Sequence, residues 1–176
     1  MRTDSFAEIV EQQRQQALAR IRGVRISALI WGPDPISKTP VGLTRRELRR
    51  ALEEDGHLVR YSEDLYDPNA EFSLLAQQVA DVEAHDITFS LPDSPGSIAE
   101  AHDFARIPSI SHRIVTFVDT AHNDGYANKA LLELQSTATC RVQIYNGTDL
   151  PGCVIKHARD LVRRLQEFYY LMGRRF

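Results

Sequence analysis

The chain has 176 residues, 43% of them hydrophobic, and carries 21 Lys and Arg against 24 Asp and Glu for a formal charge of -3. That apolar content suffices for one sizeable core, and a near-balanced charge gives no overall attraction to nucleic acid or an anionic membrane. Any phosphate recognition therefore has to be local. Cys140 and Cys153 lack metal-ligand spacing and are too few for a disulfide framework, which points to a reducing, cytoplasmic setting. The N-terminus, Met1 to Ile21, is interrupted throughout by Glu, Gln and Arg, so it reads as neither a signal peptide nor a membrane span.

In chain order, residues 5 to 22 set Phe6, Ile9, Val10, Ala17, Leu18 and Ile21 on roughly one helical face. This predicts an amphipathic helix over residues 1–23, closed by Gly23, that packs on the following domain (24–176) or on a partner subunit. Short β-rich runs then alternate with helical patterns. Strands are predicted at Val24 to Trp31, His57 to Tyr61, Ile87 to Leu91, Arg113 to Val118 and Arg141 to Tyr145. The intervening helices are predicted at Thr44 to Asp55, Asn69 to Ala84, Ser97 to Ala105 and Tyr126 to Leu134. A long closing helix follows at Cys153 to Met172, with an apolar face broad enough for core packing and for a homo-oligomer interface.

Parallel neighbours need crossover connections, and crossover helices cover both faces of the sheet. The pattern thus predicts a three-layer, flavodoxin- or Rossmann-like α/β fold with a five-stranded parallel sheet in the order 2-1-3-4-5. Such an order has a switch point between the first and third strands, where ligands bind beyond the carboxyl ends. The loops to read for chemistry are therefore Trp31 to Gly42 and Pro92 to Ser97.

The second of these loops runs through Asp93, Ser94, Pro95, Gly96 and Ser97 into a helix bearing Glu100. Gly96 admits a close backbone approach, the Ser94 and Ser97 hydroxyls are donors, and the first free N–H groups of the helix suit a phosphate or a ribose. Ser97-Ile98-Ala99-Glu100 is equally a capping box, in which the glutamate only closes its own helix, and Thr44-Arg45-Arg46-Glu47 has the same spacing. In the first loop Trp31 can stack a nucleobase or sit in the core, Gly32 can admit a backbone contact, and Asp34 follows in a Pro-rich turn. Asp64, after the second strand, is placed for a ribose hydroxyl or for plain solvation.

The six histidines show no ligand spacing, so no metal site is predicted, and neither a P-loop nor GxGxxG is present. No cofactor is expected. Asn146-Gly147-Thr148 reads as the turn leaving the fifth strand.

Three stretches carry a family resemblance: Ile26 to Pro33, ending Leu29-Ile30-Trp31-Gly32-Pro33; Leu48 to His57; and Asp93 to Glu100, spaced Asp-x-x-Gly-Ser-x-x-Glu. They resemble the nucleoside 2-deoxyribosyltransferase-like superfamily, over roughly residues 24 to 135, with serine at position 97 where that family has threonine. More distantly they are similar to TIR domains, which share a related topology. The resemblance implies an N-glycosidic-bond hydrolase or transferase acting on a nucleoside, nucleotide or NAD-like molecule. It makes Glu100 the nucleophile or transition-state stabiliser at C1′, with Asp93 assisting. Two other classes stay open: a non-catalytic nucleotide-signal sensor, as in some defence systems, and an interaction subunit acting through a partner protein.

Overall fold

The computed structural model describes residues 3–122, 125–135 and 139–173. In chain order these form α1 (Thr3–Arg22), β1 (Ser27–Trp31), α2 (Pro40–Glu54), β2 (Leu58–Tyr61), α3 (Leu74–Ala84) and β3 (Ile87–Ser90). There follow α4 (Pro95–Ala105), β4 (Ile114–Asp119), α5 (Tyr126–Gln135), β5 (Arg141–Tyr145) and α6 (Gly152–Met172). The five strands form one all-parallel sheet in the order β2-β1-β3-β4-β5. Both the fold class and the strand order match the expectation from the sequence.

Alternation along β1 shows why the sheet is covered on both sides. Ala28 and Ile30 belong to the core beneath α2 and α6, with Leu48, Leu52, Val154 and Ala158, whereas Leu29 and Trp31 face Val82 of α3 and Phe104 of α4. A further cluster of Ile98, Val118 and Leu131 seats α4 and α5 on the same side as α3. Since successive strand side chains point to opposite faces, a strand covered on both is buried at nearly every position, as β1 and β3 are, and the polar side chains that β3 carries there, Thr88 and Ser90, are small. The last turns of α1 pack on α6, where Gln166 Nε2 donates to the carbonyls of Arg22 and Val24 at 3.0 and 2.9 Å. Its first turns leave Phe6, Ile9 and Val10 exposed. No helix among the described residues is long and apolar enough to cross a membrane.

Three helix starts differ from the sequence reading, each because a different residue caps. Thr39 caps α2 by accepting from Gly42 N–H, and Thr44 lies inside the helix with its hydroxyl donating to Pro40 O at 2.7 Å. Ser73 caps α3, so residues 69–73 belong to the preceding turn. Ser94 caps α4, and Pro95 takes the first helical position, where a missing N–H loses nothing.

On α2, Arg45 shares the apolar face with Leu48 and Leu52 and is fully buried. Its Nη1 donates to Gly32 O, Pro33 O and Glu63 Oε1 at 3.2, 2.7 and 2.7 Å, and its Nη2 to Ile30 O and Glu63 Oε2 at 2.8 and 2.6 Å. The guanidinium also lies 4.4 Å from the centroid of the Tyr61 ring. One side chain thereby joins the end of β1, α2 and the short helical turn Ser62–Asp64 that follows β2. Removing it strands three inward carbonyls and the partner of Glu63, so Arg45→Met is expected to lose about 3 kcal/mol in chemical denaturation. Arg45→Lys should recover little, because an ammonium lacks the planar fork that reaches both groups of acceptors.

Candidate functional site

At the β1/β3 switch point, beyond the carboxyl ends of the strands, a cleft of about 300 Å³ opens. Its base is formed by Trp31 and Ser90, which are register partners at the ends of β1 and β3. Gly32, Pro33, Ser62 and Glu63 form one wall, and Pro92, Asp93, Ser97, Glu100 and Ala101 the other, with Gln78 of α3 at the edge. Three carboxylates, Glu63, Asp93 and Glu100, therefore border one small space.

The first turn of α4 decides what Glu100 does. Ser94 Oγ accepts from Ser97 N–H at 3.2 Å, while Ser97 Oγ accepts from Ser94 N–H and from Asp93 N–H, both at 3.1 Å. This capping box runs from Ser94 to Ser97, not from Ser97 to Glu100. Glu100 is thus released from capping, and its carboxylate accepts no hydrogen bond from the described residues. The two serine hydroxyls are engaged with each other and with the loop backbone, which fixes the path of Asp93 along the cleft wall.

Of the residues singled out in the sequence, Trp31, Gly32, Asp93, Ser97 and Glu100 come together here; Asp34, Asp64, Ser94 and Gly96 do not line the cleft. Asp34 Oδ1 accepts from Ile36 N–H within its own turn. Asp64 accepts from Tyr61 N–H and pairs with Arg49, each at 3.2 Å. Gly96 sits in the first turn of α4, where an added Cβ would make only ordinary contact with Ser94 Oγ at 4.0 Å. Trp31 is mainly a core residue, 9% exposed and tilted against Phe104 at 4.7 Å between ring centroids. Its Nε1 is buried without a partner among the described residues. At Gly32, φ is +154° and a Cβ would meet Leu91 O at 3.1 Å and Arg45 Cδ at 3.3 Å, so close passage of β3 and Arg45 requires glycine.

Glu63, Ser62 and Gln78 were not anticipated. The signal for Glu63 was a charged residue, Arg45, recurring on the apolar face of α2 with Leu48 and Leu52, which demands a buried partner. A shallower, more open hollow of about 410 Å³ adjoins the cleft, shares Ser62, Glu63 and Gln78 with it, and adds Tyr66 and Leu74. No protein-family model matches the chain, and no curated protein matches it.

Partial burial raises the Glu63 pKa, but the hydrogen bonds and charge of Arg45 outweigh it and hold the carboxyl below its usual value. A lowered folded-state pKa stabilises the protein above the unfolded value and ceases to do so as pH falls through the folded one. The wild-type protein should therefore lose stability below about pH 4.5 more steeply than Glu63→Gln, which is weaker at neutral pH but flatter in acid. Denaturation curves from pH 7 down to about pH 3 read this difference directly.

Proposed function

We propose that the cleft cleaves or transfers an N-glycosidic bond of a nucleoside, nucleotide or NAD-like molecule, with Glu100 acting at the anomeric carbon. The observation that carries this reading is the unpartnered Glu100 carboxylate on the wall of a cleft at the sheet's switch point. The resemblance of the Asp93 to Glu100 stretch to nucleoside 2-deoxyribosyltransferase-like enzymes supports the same choice.

The chemistry follows from charge. As the bond between C1′ and the base nitrogen breaks, its electron pair leaves with the base and positive charge builds on the sugar ring. A carboxylate beside C1′ stabilises that cation or closes on it as a glycosyl ester, which water or a second base then releases. Glu63 stays ionised because Arg45 pairs with it, so the pair is close to neutral and fixes the carboxylate in place. It is accordingly a poor proton donor but a fixed acceptor for sugar hydroxyls. Asp93 holds the sugar from the opposite wall, and the hollow between Tyr66 and Leu74 offers apolar surface to the base.

Incubation of the purified chain with a panel of nucleosides, nucleotides and NAD should release free base, measured by chromatography. Glu100→Gln keeps the shape of the side chain but removes its charge, and should slow release by about 10²- to 10³-fold. Asp93→Asn should act mainly by raising KM. Base release unaffected by Glu100→Gln would remove the catalytic reading. Tight nucleotide binding without release in the wild type would favour the sensor, for which the same cleft serves only as a receptor.

A further inference from the structure

A second cavity, of about 630 Å³, lies at the opposite end of the sheet from the cleft, where the amino ends of β3, β4 and β5 meet the C-terminal half of α6. Three guanidiniums line it: Arg113 just before β4, Arg141 at the start of β5 and Arg164 on α6. The register explains why Arg141 turns this way. It pairs with Val115, a member of the core under α6, and neighbours across a parallel pair share a face.

The described residues do not balance this positive charge. Asp86 is the one carboxylate among the lining residues. Its Oδ2 accepts from Ser27 N–H and hydroxyl at 2.7 and 2.8 Å, and its Oδ1 from the Tyr169 hydroxyl at 3.1 Å. Arg113 Nη1 donates to His85 O at 2.7 Å, but its Nε is buried with no partner among the described residues. Neither Arg141 nor Arg164 forms an ion pair or hydrogen bond with a described residue. The remaining wall is His112 and the apolar side chains of Ile87, Leu161, Leu165 and Phe168.

Guanidinium forks match the oxygens of a phosphate, and three of them against one engaged carboxylate suit a dianion better than a monoanion. We propose that this cavity binds a phosphate monoester carried on an aromatic or aliphatic body, with the phosphate among Arg113, Arg141 and Arg164 and the body against Leu165 and Phe168. The site is independent of the cleft and of the reaction assigned to it.

Calorimetric titration of the full chain with phenyl phosphate and with inorganic phosphate tests the assignment. Both should bind saturably, phenyl phosphate about tenfold more tightly because its ring covers apolar surface. The double variant Arg141→Gln/Arg164→Gln alters two exposed side chains and should weaken both probes by more than about tenfold. Phe168→Ala, at a half-exposed position, should weaken phenyl phosphate alone. The proposal is overturned if neither probe saturates, if the two bind equally, or if the double variant binds as the wild type does. It is also overturned if Glu100→Gln, at the other end of the sheet, is what abolishes binding.

Discussion

A single buried cation, Arg45, sets the geometry on which the cleft depends. A fully desolvated guanidinium is tolerable only when most of its donors are met, and here Nη1 and Nη2 meet three carbonyls at the end of β1 and both oxygens of Glu63, while Nε alone finds no partner among the described residues. The cation therefore dictates where the chain leaves β1 and where the turn after β2 must sit. Tyr61 completes the arrangement, its ring lying 4.4 Å from the Arg45 guanidinium and 4.6 Å from that of Arg49. Burial raises the Tyr61 phenol, so it stays neutral as a partner to both cations.

The facing wall is organised by a different device. Reciprocal bonds between Ser94 and Ser97 close the start of α4 without calling on Glu100. One wall thus holds its carboxylate in an ion pair, and the other leaves its carboxylate open. This contrast is the physical basis for the different work proposed for the two acids: Glu63 as a fixed hydrogen-bond acceptor, Glu100 as the group that meets a reacting carbon. Loops at a switch point are suited to such a division, because β1 and β3 send their connections to opposite faces of the sheet.

The fold was readable in the sequence because doubly buried strands stand out as short β-rich runs, Ser27–Trp31 apolar after its first residue and Ile87–Ser90 alternating apolar residues with small hydroxyls, and the helices between them leave one parallel arrangement natural. The position of the cleft came with it. What the sequence left ambiguous was which of several equivalent polar residues takes each role. Ser94 and Ser97 both suit a helix cap, and only the Pro95 at the first helical position, seen in three dimensions, favours Ser94. Glu63 and Asp64 are adjacent, and a shift of one residue in a short helical turn exchanged the cleft acid for the one that pairs with Arg49. Trp31, readable as a stacking platform or as core, is chiefly core because its alternation places it against Phe104.

The assignment of function rests on the direction of the Glu100 carboxylate, and a crystal structure of the chain soaked with a nucleoside tests it most directly. The sugar should lie between Asp93 and Glu63, with its anomeric carbon about 3 to 3.5 Å from a Glu100 oxygen, the range of a near-attack geometry. A nucleoside bound elsewhere, or a Glu100 side chain folded onto the first turn of α4 with the cleft closed, would contradict it.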